Sequence, residues 1–330
     1  MIKILLIYED PLTKYGGISQ HCGEIVKMYK NDLNIQITFL CKENIKHHWN
    51  KFLHKTVFEF KELKKCIQES NCDIIHIQGF ALMTVAQGLR AAISLKKYII
   101  YTAHYHPVST LKSPIFGKLF FDVFLQPYLS KINKIITINN EDSLFFKKYN
   151  SNITMIPSVC SKFFNIAEKE KKENMILFVG LNRKNKGLSL LNRLPTTKYD
   201  IHCVIDKPDG VSKNIKIHTS ISNEDLDELY DLAALVIVPS KYEAFSIVAL
   251  EALERGTPVL MSDRVRIADH LDGIDGWTVF KYGDMKDLLN KIDISMRKKV
   301  DVAKIYERFS EKNIKLLYDK VYGTEKNEKT

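Results

Sequence analysis

No stretch of the chain reaches the ~18 uninterrupted apolar residues that a membrane-spanning helix needs, which excludes a helical integral membrane protein. The apolar opening from Met1 to Tyr8 runs into Glu9-Asp10-Pro11 without a small-residue cleavage site, so it reads as a first strand and not as a secretory signal. The six cysteines, Cys22, Cys41, Cys66, Cys72, Cys160 and Cys203, form no Cys-x-x-Cys pair and no Cys/His cluster at zinc spacing. Buried free thiols in a reducing cytoplasm are the simplest account of them. No strand-like run is followed by Gly-x-Gly-x-x-Gly, which argues against a dinucleotide oxidoreductase. A short-period repeat is absent too, and so is any module that reads nucleic acid; only the charge favours that partner.

What is present is a chain of 330 residues, 45% hydrophobic, enough for about two domains with a core each. Short apolar β-type runs alternate with longer amphipathic stretches. In the first half the runs are Ile2–Tyr8, Ile35–Leu40, Ile74–Ile77, Tyr98–Thr102, Ile132–Ile138 and Ile153–Ile156. Helical stretches at Ile18–Tyr29, Ala81–Leu95, Pro114–Ser130 and Glu141–Tyr149 lie between them. Such alternation means βαβ units around a parallel sheet, and near-continuous apolar strands mean helices on both faces. Pro157 to Asn174, with its charge run Glu168–Glu173, interrupts the pattern and marks a domain boundary. A second alternation follows, with strands at Met175–Val179, Asp200–Ile205, Ile215–His218, Leu235–Pro239 and Pro258–Met261. Its helices are Asn223–Leu232, Phe245–Arg255, Met285–Ile294 and Lys312–Tyr322, and the polar tail Glu325–Thr330 reads as disordered. The expected fold is therefore α/β, two Rossmann-like doubly wound domains in tandem, with ligands in the interdomain cleft at the carboxyl ends of the strands.

The formal charge of +10 is uneven: residues 1–155 hold 20 Lys+Arg against 12 Asp+Glu, or +8, and the rest hold 29 against 27, or +2. The basic half suits an anionic partner such as a lipid surface, a phosphorylated acceptor or nucleic acid; a solvated lysine-rich surface is the competing reading.

The most informative segment is Pro239-Ser240-Lys241-Tyr242-Glu243-Ala244-Phe245-Ser246-Ile247-Val248-Ala249-Leu250-Glu251. A strand ends at Pro239, a short loop carries Glu243, and a helix begins near Phe245. Unpaired amides at a helix N-terminus carry partial positive charge and suit a diphosphate. Glu251 lies about 12 Å further along the helix and near the same face. One carboxylate at a sugar and one at ribose hydroxyls would fit that separation; a capping acid and a solvated glutamate are the plainer alternative.

This segment, with its Glu-x7-Glu spacing and the following Gly256-Thr257-Pro258-Val259, resembles the family 4 retaining glycosyltransferases of the GT-B fold. Ala244 and Ser246 stand where the family pattern has glycines. The resemblance implies that Glu243 contacts the transferred sugar, that the backbone amides of Phe245, Ser246, Ile247 and Val248 hold sugar and diphosphate, and that Glu251 binds the ribose. Gly16-Gly17, after the first strand, resembles the glycine pair that closes the first loop on the donor. Lys186-Gly187 matches a phosphate-holding Lys-Gly, whereas the family arginine position is Leu181, with Arg183 as its candidate replacement. His104, ending a strand, fits a histidine that contacts the donor sugar; His106 is an adjacent competitor, and His76 reads as structural.

The same resemblance makes residues 1–157 an acceptor-binding domain, 158–174 a linker, 175–308 the nucleotide-sugar domain and 309–324 a helix crossing back to the first domain. The expected reaction moves a sugar from a nucleotide donor, UDP-sugar ahead of GDP-sugar, to a glycan or lipid-linked acceptor in bacterial surface-polysaccharide synthesis. No Asp-x-Asp motif stands at a strand end, so the expectation is no metal and no cofactor, with Lys186, Arg183 and the helix end neutralising the leaving diphosphate. Lys112, Phe116, Lys118, Phe120 and Phe121 mix bases and aromatics around one helix, a candidate for peripheral contact with the anionic inner face of the cytoplasmic membrane; an ordinary core helix is the alternative. A sugar-nucleotide epimerase and a catalytically weak scaffold are the competing functions. Leu181 and Ser246 favour the scaffold.

Overall fold

The computed structural model describes residues 1–14, 16–80, 82–104, 114–159 and 170–323. His106, Lys112, Cys160, the Phe116 side chain, most of the 158–174 linker and the tail from Glu325 fall outside them. Two compact units emerge: Met1–Val159 with Glu311–Thr330, and Cys160–Ser310.

The first unit runs β1 (Ile2–Ile7), α1 (Gly17–Met28), β2 (Ile35–Leu40), β3 (His47–Asn50), β4 (Lys55–Phe58), α2 (Phe60–Glu69), β5 (Ile74–Gln78), α3 (Met83–Ser94) and β6 (Tyr98–Thr102). It continues through α4 (Pro114–Phe120), a π turn (Phe121–Leu125), α5 (Gln126–Leu129), β7 (Lys134–Thr137), α6 (Asn140–Phe146) and β8 (Ile153–Met155). Its main sheet is parallel, in the order β2-β1-β5-β6-β7-β8, while β3 and β4 form a separate antiparallel hairpin. One face of the sheet packs against α2, α3 and the α4–α6 region through Leu5, Ile7, Ile75, Ile77, Leu89 and Phe121. The other face, with Ile4, Leu6, Ile100 and Ile136, is covered by α1 and by the last helix of the chain. Because both faces are covered, the central strands are largely apolar, and β5 is buried along its length, His76 and Gln78 included.

The second unit runs β9 (Lys172–Val179), a 3₁₀ turn (Lys184–Lys186), α7 (Leu188–Leu191), β10 (Asp200–Val204), β11 (Lys216–His218), α8 (Asn223–Leu232), β12 (Ala233–Val238) and α9 (Ile247–Glu254). Then come β13 (Val259–Ser262), a second 3₁₀ turn (Arg266–His270), β14 (Trp277–Phe280), α10 (Met285–Met296) and α11 (Val302–Phe309). The parallel order is β11-β10-β9-β12-β13-β14, the doubly wound arrangement whose order reverses between β9 and β12. The final helix, α12 (Glu311–Tyr322), belongs to the first unit. Ile314, Tyr318, Val321 and Tyr322 place it in that unit's core, and Tyr29 donates to Asp319 at 2.8 Å.

Two expectations change. The 114–130 helix is broken by a π turn, and Phe120 and Phe121 face the core instead of solvent. Lys118 is exposed and paired with Asp122 at 2.6 Å, and the exposed apolar residues of this segment are Ile115, Leu119 and Val123. Spacing explains the exchange: 115, 119 and 123 share one helical face, and 120 and 121 lie on the opposite side. Among the described cysteines, Cys22, Cys41, Cys66, Cys72 and Cys203 are free thiols. No helix among the described residues is long and apolar enough to cross a membrane.

Candidate active site

The switch point of the second sheet is built by the loops after β9 and β12. The first loop is tied to its neighbour strand: the Gly180 amide donates to the Val204 carbonyl at 3.0 Å, and the Asn182 amide to Asp206 Oδ1 at 2.6 Å. The Asn182 side chain also donates to the carbonyls of Lys207 and Asp209. The loop then tightens into the 3₁₀ turn and reaches Gly187, whose φ of 77° is left-handed. A β-carbon there would lie 2.0 Å from the Pro239 carbonyl oxygen, so only glycine lets the two loops meet. The Lys241 amide closes the junction by donating to the Asn185 carbonyl at 2.7 Å.

This junction brings the Lys186 ammonium onto Glu243 Oε1 at 2.5 Å, and the Ser240 hydroxyl donates to the same oxygen at 2.9 Å. The Glu243 backbone is itself pinned like a short strand. Its amide donates to the Arg264 carbonyl, its carbonyl accepts from the Arg266 amide, and it forms a parallel bridge with Val265. Ser262, at the end of β13, holds Ser240 through a 2.6 Å hydrogen bond to its carbonyl. Three strand ends thus converge on one lysine–carboxylate pair.

The helix after this loop begins two residues later than its sequence suggests, at Ile247 and not near Phe245. The Phe245 carbonyl is held by the Ile267 amide, and its ring is buried against His270 and Phe309. Ser246 takes the N-cap with φ 100°, and its hydroxyl accepts from the Ala249 amide at 3.3 Å. A non-glycine residue at this φ costs about 1–3 kcal/mol. Replacing a serine cap by glycine loses only a few tenths, and extra unfolded-state entropy takes back less than about 1 kcal/mol. Ser246→Gly is therefore expected to stabilise the chain by about 1 kcal/mol, raising the melting temperature by roughly 2–4 °C in calorimetry; an unchanged or lower midpoint would show that the strain is already relieved.

Glu251 stands on α9 and accepts from the buried Tyr230 hydroxyl at 2.9 Å. Ile247 and Val248 are the first two residues of the helix, whose leading amides precede its hydrogen-bond ladder. Arg183 is exposed at the start of the 3₁₀ turn and is not part of the Lys186–Glu243 pair. Its charge lies near Asp206, whose carboxyl is held below the usual range chiefly by the Asn182 amide.

In the first unit, Gly16 and Gly17 open α1 after the β1 loop, and a β-carbon on either would meet nothing within 4 Å. Protein packing therefore does not demand glycine there. His104 lies just beyond β6 with φ 44°, buried, its Nε2 donating to Gln78 Oε1 at 2.8 Å. Gln78 in turn reaches His76 Nε2 at 3.1 Å, and His76 meets the Thr102 and Tyr322 hydroxyls, each at 2.8 Å. Burial pushes His76 down to about 3, which keeps its ring neutral within this polar chain. His21 packs edge-on to His104 at 4.9 Å between ring centres and meets the Tyr318 hydroxyl at 3.1 Å. The last helix thus reaches the surroundings of His104 through two tyrosines.

Sequence reasoning missed Gln78, Tyr230 and the strand-like support at 264–266. Tyr230 is 21 residues from its partner in the chain and no spacing rule links them. Ser240 stood in the quoted motif without a role. Among the described residues, no group of three or more His, Cys, Asp or Glu side chains is placed to hold a metal ion.

Residues 161–316 match the family model described as Glycosyl transferases group 1. The uncharacterised glycosyltransferase MJ1607 of Methanocaldococcus jannaschii is 37% identical over 106 residues, a stretch that is 27% of this chain and only 27% of that protein. Sucrose-phosphate synthase from Thermosynechococcus elongatus superposes with a TM-score of 0.74 at 14% identity, covering 98% of this chain and 99% of the other. Anabaena HepE, solved in complex with UDP and glucose, gives 0.69 at 15% identity, covering 98% and 100%. At these identities the two structures establish the fold, which is GT-B: two Rossmann-like domains with parallel sheets.

Proposed function

We propose that this chain is a retaining, metal-independent hexosyltransferase that moves a sugar from a nucleotide-diphosphate donor to a glycan or lipid-linked acceptor. The observation that carries the reading is the Lys186–Glu243 pair at the β9/β12 switch point, beside the N-terminus of α9. A doubly wound sheet binds its ligand at that place. A departing diphosphate gains negative charge, and a lysine with a helix N-terminus stabilises it without a cation.

In this reading Lys186 passes from Glu243 to the diphosphate when donor arrives. The amides of Phe245 to Val248 hold the sugar and phosphates, and Glu243 meets the sugar. Glu251, oriented by Tyr230, takes the ribose hydroxyls. The acceptor hydroxyl attacks the anomeric carbon from the side the phosphate leaves, and its proton goes to the departing phosphate oxygen. Configuration is then retained with no strong protein base. Gly16 and Gly17, with open space above them, and His104 contribute the donor contacts that the family resemblance assigns to the first unit. Arg183 supplements Lys186. UDP is the preferred nucleotide, in line with the UDP held by Anabaena HepE. Surface-polysaccharide synthesis is the process that a glycan or lipid-linked acceptor suits, with the enzyme at the cytoplasmic side of the membrane.

A thermal-shift panel of UDP-, GDP- and ADP-sugars tests the donor. At a hundredfold excess over Kd a bound donor stabilises by about 2.7 kcal/mol, and a UDP-sugar is expected to give the largest rise. A panel in which no nucleotide moves the midpoint would leave the fold without this function. Leu181 at the family's arginine position favours one second reading, a weakly catalytic scaffold; donor binding without turnover on any glycan acceptor would select it.

A further inference from the structure

We propose that the β3–β4 hairpin, together with the outer face of α4 and its π turn, is a docking surface for an anionic lipid membrane. The hairpin stands apart from the main sheet. Its base is fixed: Phe58 enters the core, its amide and carbonyl are both bonded by the Gln87 side chain of α3, and Thr56 donates to Glu9. The rest of the hairpin is not buried in this way. Trp49 is 58% exposed, and Phe52, in the turn, is 90% exposed. Trp49 pairs with Thr56, two residues nearer the turn than the anchoring His47–Phe58 pair.

Around these two rings lie Lys46, Lys51 and Lys55 with His47, His48 and His54, and residues 46–58 contain no acid. Glu59 and Glu62 follow only where β4 leads into α2, and Glu62 accepts from the Lys46 amide at the hairpin's base. The α4 segment is next door: Lys55 Nζ lies 5.6 Å from the Phe120 ring centre, and both β4 and the π turn pack on α3. There Ile115, Leu119 and Val123 form one exposed stripe, with the Lys118–Asp122 pair beside it. Five of the fourteen large apolar side chains exposed among the described residues therefore sit in these two neighbouring segments.

Charge decides the occupant. Exposed tryptophan and phenylalanine suit the interfacial region of a bilayer, and lysines beside them gain from anionic headgroups. Lys51 and Lys55 flank the exposed rings with no acid between positions 46 and 58, a placement that anionic headgroups explain. The inference gives the notion of peripheral attachment a specific surface, and it rests on none of the donor chemistry.

The test is co-sedimentation of the full chain, without nucleotide, on vesicles of phosphatidylglycerol with phosphatidylcholine and on phosphatidylcholine alone. The expected result is partitioning onto the anionic vesicles at least about tenfold above the neutral ones, falling as salt rises. Trp49→Ala with Phe52→Ala should lower that partitioning by about tenfold or more. Lys46→Glu with Lys51→Glu should do the same, and both variants should keep the wild-type melting temperature because these side chains are exposed. Wild-type protein that stays in solution with anionic vesicles would overturn the proposal, as would variants that partition like wild type or equal binding to neutral lipid. Retention on heparin or RNA without vesicle binding would reassign the surface to a soluble polyanion and overturn it equally. None of these outcomes touches donor binding, so the two readings fail separately.

Discussion

Glu243→Ala should lower kcat by about 10²–10³-fold while leaving UDP binding intact or slightly tighter. The asymmetry follows from the resting geometry. Lys186 is shared with the Glu243 carboxylate at 2.5 Å. Removing that carboxylate leaves the ammonium to the diphosphate alone, so the ground state loses nothing on the nucleotide side. In the proposed mechanism, what disappears is the negative charge that faces a sugar turning cationic in the transition state. Lys186→Ala is the complementary case, expected to weaken UDP binding and to slow transfer together. The double variant should cost less than the sum of the two, because the residues act on each other as well as on the donor. Calorimetric UDP titration beside steady-state kinetics reads all three. A kcat that survives Glu243→Ala would remove this residue from the chemistry.

Gly187→Ala is expected to be the most damaging single substitution in the second unit. Its β-carbon would sit 2.0 Å from the Pro239 carbonyl oxygen, and φ is 77°. The neighbour is backbone at the end of a buried strand, so it cannot swing aside as a side chain would. We expect a loss of about 3 kcal/mol or more in urea unfolding, together with lost donor affinity as Lys186 is displaced. Gly210→Ala is the matched control. Its φ is 75°, but a β-carbon there meets nothing within 4 Å. It should show the left-handed penalty alone, about 1 kcal/mol. If the two variants unfold at the same urea concentration, the close approach of the two loops is not what demands glycine.

Much of the fold was legible because its rule is simple. Apolar runs separated by amphipathic stretches can only become covered parallel strands, and Ile35–Leu40, Tyr98–Thr102 and Asn223–Leu232 appear with the bounds that the pattern suggests. The β3–β4 hairpin was not legible, since Lys46 to Phe58 carries bases and exposed aromatics where a strand signature would alternate. The antiparallel register exists because Phe58 and Thr56 are anchored by α3 and Glu9, contacts that no local window contains. β14 and α11 were likewise passed over: Trp277–Phe280 is short, and α11 is amphipathic but brief. The late start of α9 has its own cause. Ser246 adopts a φ that propensity alone would deny to serine, and it does so because Phe245 is already held by Ile267.

At the candidate site, the residue types were readable and their company was not. Glu243, Lys186 and Glu251 came from a motif resemblance. Periodicity could not have paired a lysine with a carboxylate 57 positions away, nor Glu251 with Tyr230. Nor could it show that Arg183 stands near Asp206 while Lys186 meets Glu243. Those relations are set by which strand ends adjoin, and strand order is decided by the whole sheet.

The return of α12 to the first unit bears on the order in which the protein matures. Chains emerge from the ribosome N-terminus first, and domains tend to fold as they appear. Here the earlier-made unit lacks part of the covering for Ile4, Leu6 and Ile136 until Ile314, Tyr318 and Tyr322 have been synthesised. The later unit closes on itself once Ser310 is out. The nascent first unit must therefore wait, with one sheet face partly open, through the synthesis of an entire second domain. That interval, which closes only when α12 has been made, is the time when the chain most needs chaperone cover.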